Sequence, residues 1–526
     1  MEPATDRKSF CIGIDLGTTN TCCAVEVQGK VVLLNAPDGS HLFPSYVQYQ
    51  PEKTVVGSLA RNSLVQRAKN DVICYTKRVM GKKFDDPFVQ RHLLDCGVPI
   101  SNYNNNVVFH VNERTITPTM VATDIVKHVL NTVEKKYNMK PTKVCVTIPA
   151  RFGYNERMLT KRAVIEAGVP EDILVIKNEP TVAAYCYSYQ QVVHNSKIMV
   201  YDFGGGTFDL SVLEVKNEEE YEVMCHEGNP ELGGADVDEI ILSWAEDQFY
   251  QQYGFPLLDE DLPEKTKRRI RTKNRAKVEE CKIALATMDD VICELDIPPV
   301  VKGRIDDDID TFTITITKHV LSEILHDLIS QTTDTIRRVM DKNNLSVDDI
   351  DRVVLVGGSS RLCIVRDYLK AIFGEEKLRE GVNPDECVAV GACLYLMGKA
   401  TIKEVTSKSL GLKIRGNRVS CIIPVQTPIP TIKESVYGTS GDNKVTAKAN
   451  VVQAYQETAG DSMLIDESCK FLHPIRWGGF PPRPKGEVEF RIQYRLTEEG
   501  LLYVKVWNNK ENTLLLEEQP IQVDEI

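Results

Sequence analysis

No apolar run reaches the length of about 18 residues that a membrane-spanning helix needs. The segment before Phe10 is short and polar and has no apolar signal centre. The 15 cysteines include no CxxC pair, which argues against a zinc ribbon, and their odd number and wide scatter read as reduced thiols rather than a disulfide scaffold. A basic excess is also missing: 63 lysines and arginines face 75 acidic residues, a formal net charge of −12. An acidic surface repels nucleic acid and anionic membranes, so neither is an expected partner. Together these absences lead to a protein of the cytosol or nucleus. One local exception is "KTKRRIRTKNRAK", residues 265–277, which reads either as a solvated helix face balanced by Glu279 and Glu280 or as the lining of a phosphate-bearing cleft. With 526 residues, 42% of them hydrophobic, two or more domains are expected.

What is present begins with "CIGIDLGTTNTCCAVEV", residues 11–27. Apolar alternation on both sides of Asp15, Gly17, Thr18 and Thr19 predicts a hairpin with a polar tip. Glycine lets backbone approach a ligand, and converging N–H groups with threonine hydroxyls suit phosphate; an ordinary tight turn has the same appearance. The pattern returns at residues 198–215, "IMVYDFGGGTFDLSVLEV", an internal repeat. Here too the chain leaves as a strand, whereas a Walker loop leaves as a helix and carries Gly-Lys-Ser/Thr, which is missing.

A third glycine turn lies in "DRVVLVGGSSRLCIVRDYLKAIF", residues 351–373. Helical spacing follows it, so it reads as strand, Gly357-Gly358, helix, a form that suits a nucleotide or a plain connection. Strands such as "KVCVTIP" alternate with helical stretches such as "NERMLTKRAVIEAG" and "MVATDIVKHVLNTVEKKY", which makes residues 1–400 an α/β unit. Residues 401–408 are polar and read as an exposed linker. Residues 409–526 turn to short alternating segments, "RVSCIIP", "ANVVQAY", "VEFRIQY" and "LLYVKVW", an all-β unit.

Three glycine turns in this order, with a lysine in "TKRVMGKKFDD", an acid in "KNEPTVAAY", then "NPDECVAVGA", "SLGLKI", "IPT" and "PPRPKGEVEF", resemble the seventy-kilodalton heat-shock chaperones over nearly the whole chain. The resemblance implies a two-lobed actin-like α/β ATPase fold with ribonuclease H-like lobes, followed by an all-β sandwich that grips extended polypeptide. It implies ATP or ADP with Mg2+ between the lobes, weak ATP hydrolysis, unfolded or extended polypeptides as partners, J-domain co-chaperones, nucleotide-exchange factors, and a role in protein folding and the stress response. By resemblance, Gly17, Thr18, Thr19 and Asn20 with Gly205, Gly206 and Thr207 clamp the phosphates from two sides. Asp15 and Asp202 hold hydrated magnesium, Lys77 touches the γ-phosphate and the attacking water, and Glu179 and Asp209 orient or deprotonate that water. On the adenosine side stand Glu279, Lys282, Gly358, Ser359, Arg361 and Asp385. For each acid the plain alternative is a surface carboxylate.

The sequence departs from the family in four places. Ile283 and Ala286 stand where the family has an arginine and a serine beside the base, so stacking and a hydroxyl hydrogen bond are lost. The linker "TIKEVTSKS" lacks the family's leucine run, which predicts weak coupling between the domains. In the sandwich pocket, Leu412 and Tyr437 keep the apolar type, Ala447 and Ala449 are small, and Arg415 replaces an apolar cover over the peptide. That change favours acidic or mixed peptides, unless Arg415 points to solvent and the unit is a structural platform. The sequence runs only a short way past the sandwich, to "VDEI", so the family's helical lid is not expected. Three functions are weighed: a slow ATPase chaperone homologue binding unfolded polypeptide, a nucleotide-switched co-chaperone or scaffold serving another chaperone or the ribosome, and a sugar or small-molecule kinase.

Overall fold

Two glycine-turn hairpins each sit at the centre of a sheet. The structure, a computed structural model, describes residues 10–67, 71–191, 193–217, 219–305, 309–378, 381–398, 400–454 and 462–523. The polar leader and the terminal "DEI" lie outside the described residues. In the first sheet the hairpin Cys11–Asp15 and Asn20–Val27 continues into Lys30–Leu33 on one side, while Lys143–Ile148 and Leu174–Asn178 add in parallel on the other. In the second, the hairpin Ser196–Phe203 and Phe208–Val215 is followed by Glu220–Asn229, and Arg352–Val356 adds in parallel beside its first strand. The repeat read from sequence is therefore a repeat of architecture, and the actin-like two-lobed α/β fold holds.

Helices Glu179–Gln191 and Cys387–Met397 pack between the sheets, where Ile198, Val200, Cys22 and Ala24 join Val182 and Ala392 in one buried cluster. The approach is tight: a Cβ on Gly391 would lie 2.0 Å from the Val182 carbonyl oxygen. Each lobe also has its own core, around Ile12 and Val146 in the first and Phe208 and Ile241 in the second. All fifteen cysteines are free thiols, and no described helix is long and apolar enough to cross a membrane.

The linker overturns its sequence reading. Thr401–Val405 is a strand, parallel to Glu220–Asn229 and extending the second-lobe sheet. Glu404, Val405, Thr406, Ser407 and Lys408 are buried rather than exposed. Sheet addition uses backbone donors and acceptors, so a polar sequence docks without a leucine run. Its polar side chains find partners inside: Glu404 Oε2 lies 3.0 Å from His226 Nε2, and His226 Nδ1 lies 2.7 Å from Ser211 Oγ.

Beyond it, the all-β unit is built from Ser409–Ile414, Arg418–Ile423 and Val451–Ala454 against Thr431–Gly438, Glu489–Leu496, Leu502–Asn508 and Thr513–Pro520, a sandwich around Leu410, Phe490, Tyr494 and Val504. The sandwich rests on helix Tyr154–Glu166 of the first lobe. Tyr154 Oη donates to the Ile521 carbonyl at 2.6 Å, its N–H donates to Gln453 Oε1 at 3.1 Å, and Lys161 pairs with Glu499 at 3.2 Å. Glu156 is enclosed at this junction. Burial alone would raise its carboxyl, but the charges of Lys408 and Lys470 outweigh that and hold it below the ordinary carboxylate range.

Candidate functional site

The two glycine turns face one another across a cavity of about 310 Å³ between the lobes. Contact is close enough that a Cβ on Gly205 would lie 2.2 Å from Thr19 Oγ1, and one on Gly206 would lie 2.7 Å from Thr18 Oγ1. A side chain at Gly205 would intrude where the turns meet at the cavity, and one at Gly206 would push Thr18 and Arg78 apart behind it. Gly17 is compelled locally, since a Cβ there would lie 2.0 Å from the Asn20 carbonyl oxygen. Turn 204–207 is closed by the Gly204 N–H on the Thr207 carbonyl at 3.0 Å and braced by helix Gly234–Tyr253, whose Gly234 N–H donates to the Gly204 carbonyl at 2.9 Å.

Strand ends deliver the acids. Asp15 closes the first strand of the first hairpin and Asp202 sits in the matching strand of the second. Glu179 opens the helix Glu179–Gln191, and Lys77 comes from the short 3-10 turn Thr76–Arg78. Lys77 Nζ donates to Glu179 Oε1 at 2.7 Å, both side chains being about nine-tenths buried. Asp209 does not line the cavity; it lies beneath, 1% exposed and directly opposite Asp202 in the hairpin register. The Arg151 N–H donates to one of its carboxylate oxygens at 3.1 Å, while the other has no protein partner.

Four carboxyls therefore crowd round one lysine. Burial first, and the neighbouring Glu179 second, push Asp15 up to about 7 against the pull of Lys77. The same two causes push Asp209 up to about 6 and raise Asp202 well above the carboxylate range. Like charges directly opposite across a hairpin repel, so this arrangement calls for further positive charge. Hydrated magnesium answers it, because that ion keeps several waters and needs only one or two carboxylates. Among the described residues no three acidic, histidine or cysteine side chains form a direct metal cage.

At the far end of the cavity lie Glu279 and Lys282 on helix Glu264–Ala284, and Gly358, Ser359, Arg361 and Asp385. Lys282 pairs with Asp238 at 2.7 Å, Arg361 with Asp385 at 2.8 Å, and Ser359 Oγ donates to the Gly204 carbonyl at 3.0 Å. Glu279 reaches across the lobes to Arg61 at 3.2 Å. Ile283 lines the same end and is 62% exposed, so it offers an aliphatic face with no stacking cation, and Ala286 beside it offers no hydroxyl. The cavity thus gathers the sequence candidates except Gly206, which braces the turn behind Thr18, and Asp209.

Sequence reading missed Leu42, Val356, Pro384 and Val388, which supply apolar wall, and the Arg61 bridge. Val356, Pro384 and Val388 lie inside the motifs "DRVVLVGGSS" and "NPDECVAVGA" as apolar neighbours of the polar candidates, whereas Leu42 and Arg61 come from segments without a motif. The basic run 265–277 does not line this cavity. Lys267, Arg268, Arg271 and Arg275 line a separate space of about 700 Å³ between the lobes, where Arg271 pairs with Glu239, while Lys277 is held outside that lining by Asp296.

The sandwich holds the second candidate region, a groove of about 1120 Å³ that brings Leu412, Arg415, Tyr437, Ala447 and Ala449 together. Leu412 is buried in the floor, and Tyr437 donates its hydroxyl to Ser420 Oγ at 3.0 Å. Arg415 is exposed rather than buried over the groove, and Nη2 donates across it to the Ser440 carbonyl at 2.7 Å. Ala447 stands opposite Trp477 and Ala449 opposite Ile475 in the register. Opposite the small Ala447 the ladder thus places a large side chain, Trp477. A family model described as Hsp70 protein matches residues 11–525, and the chain belongs to the Hsp70 family.

Proposed function

We propose that this chain, from a family whose members bind ATP and are generally ATPases, hydrolyses ATP slowly in the interlobe cavity and uses the sandwich to hold unfolded or extended polypeptide. The observation that carries the reading is the Lys77–Glu179 pair at 2.7 Å among Asp15, Asp202 and Asp209, between two facing glycine turns. Phosphoryl transfer to water is mainly positioning and charge neutralisation. Gly17, Thr18 and Thr19 on one side and Gly205, Gly206 and Thr207 on the other would bind the phosphates. Bound magnesium would neutralise phosphate charge, held by Asp15 and Asp202. Lys77 would stabilise charge on the transferred phosphoryl group, and Glu179, which faces the cavity, would orient the attacking water. Asp209 would act on the same proton from beneath.

Single-turnover hydrolysis with calorimetric titration of ATP and ADP, with and without magnesium, tests this. Binding that depends on magnesium, followed by slow turnover, is expected; tight binding without any turnover would overturn the enzymatic part. The docked linker strand favours a second reading, a nucleotide-switched scaffold that serves another chaperone, because the strand joins the lobe sheet to the sandwich directly. Refolding of a denatured client by this chain with a J-domain partner and an exchange factor separates the two. The free thiols support a cytosolic or nuclear setting.

A further inference from the structure

The groove in the sandwich differs in charge from the rest of the molecule. The chain is acidic overall, with 63 basic and 75 acidic residues. The groove is lined by Lys413, Arg415, Lys444, Lys448, Arg476 and Lys485 and by no aspartate or glutamate. All six are exposed, and none forms an ion pair among the described residues. Asp442 lies in the same loop but not in the lining, and one of its carboxylate oxygens accepts the Lys485 backbone N–H at 2.7 Å.

Two of the six are set against each other. Lys448 and Arg476 are direct partners in the two-stranded ladder of Thr446–Ala449 with Ile475–Gly478. Like charges directly opposite destabilise a ladder, so this pair gains when an anion lies between them. Beneath the rim the floor is apolar: Leu412, Trp477, Phe490 and Ile492 are buried. The Trp477 indole N–H is buried without a hydrogen-bond partner, and it belongs to a groove-lining residue. Thr446–Ala449 is paired on one edge alone among the described residues. An extended chain can add to a free strand edge through backbone hydrogen bonds while its side chains read the pockets.

We propose that this groove selects an extended acidic peptide, carboxylates on the Lys448–Arg476 rim and one apolar side chain over Trp477 and Phe490. The inference rests on the reading of the sandwich as a polypeptide-binding unit and names the class of polypeptide. Backbone pairing supplies affinity without regard to sequence, and the rim supplies the choice. Exposed charges act through screened solvent, with a screening length near 10 Å at about 0.1 M salt, so the preference weakens as salt rises.

The test uses the full chain and three labelled peptides that alternate leucine with glutamate, glutamine or lysine, read by fluorescence anisotropy at low and high salt. The glutamate peptide is expected to bind about tenfold more tightly than the lysine peptide at low salt, with the gap narrowing at high salt. In a K448Q/R476Q variant the gap between the glutamate and lysine peptides should narrow, and in a K448E/R476E double variant it should narrow further, because four groove cations remain against two added carboxylates. An unchanged thermal midpoint shows that both variants are folded. Equal binding of all three peptides by the wild-type chain overturns acidic selection and leaves the polypeptide reading standing. Failure of every peptide to bind overturns both. Displacement of the glutamate peptide by a single-stranded oligonucleotide or an anionic vesicle at equal charge concentration overturns the assignment to peptide.

Discussion

The interlobe cavity and the sandwich groove are electrostatic opposites made in different ways. In the cavity, acids and glycines sit at strand ends and turns, each placed by a few neighbouring residues, and the surplus is negative around Lys77. In the groove the surplus is positive, and the floor is made by side chains from strands far apart in sequence, with Trp477 filling the space opposite Ala447. The difference teaches that a site made from turns is carried by its local sequence, whereas one made from packing depends on partners that no single segment reveals.

If that contrast is right, the groove should be the more sensitive to loss of a buried side chain. Trp477→Ala removes an aromatic that is 8% exposed and packs edge-on to Phe490 at 5.2 Å. Losses of about 3–5 kcal/mol are usual for such a change, and the sandwich transition in a denaturant melt should show it. A change of less than about 1 kcal/mol would remove the claim that packing makes the groove.

In the cavity the matching experiment is Lys77→Ala, which leaves the turns intact. Single-turnover hydrolysis should fall by about 10²–10³-fold, because a preorganised charge at the reacting group is lost, while ATP still binds. Unaltered hydrolysis would end the assignment of Lys77.

The interdomain junction lies between the two regions and sharpens the comparison through pH. Glu156 has its carboxyl held below its ordinary 4.5, with Lys408 and Lys470 as the partners that overcome burial. A depressed carboxylate contributes stability that is complete above the ordinary value and is lost as pH falls through the lowered one. Docking of the sandwich on helix Tyr154–Glu166 should therefore weaken as pH falls below about 5, a slope that Glu156→Gln should flatten. Thermal melts across that range check it, and a slope retained in the variant would assign the effect elsewhere.

The smallest change is expected from Arg415→Met. It removes one exposed hydrogen bond to the Ser440 carbonyl, so stability should move by less than about 1 kcal/mol. Preference for the glutamate peptide should fall only in part, since five other cations remain. Complete loss of that preference would make Arg415 the specificity residue, and the rim as a whole would lose that role.

Much of the fold could be read in advance because its signals are short-range. Period-two alternation around Asp15 and Asp202 and helical spacing after Gly358 predict the hairpins and the strand-turn-helix unit that the structure contains. The linker could not be read, because a strand added to a sheet edge bonds through its backbone, and the composition of "TIKEVTSKS" carries no trace of that. Its burial depends on His226 and Glu156, whose positions relative to residues 401–408 are set by the whole arrangement.

The sequence by itself determined which residue types stand at the turns: Gly17 because a side chain would strike its own backbone, Gly205 and Gly206 because two turns must meet, and Asp15 and Asp202 because strand ends present them. Only the tertiary structure decided that Asp209 lies beneath the cavity instead of in it, that Trp477 supplies what Ala447 lacks, and that six cations from separate segments share one rim. The physical reason is range. Backbone sterics and alternation act over a few residues, whereas burial, charge and shape are summed over whatever the chain brings together.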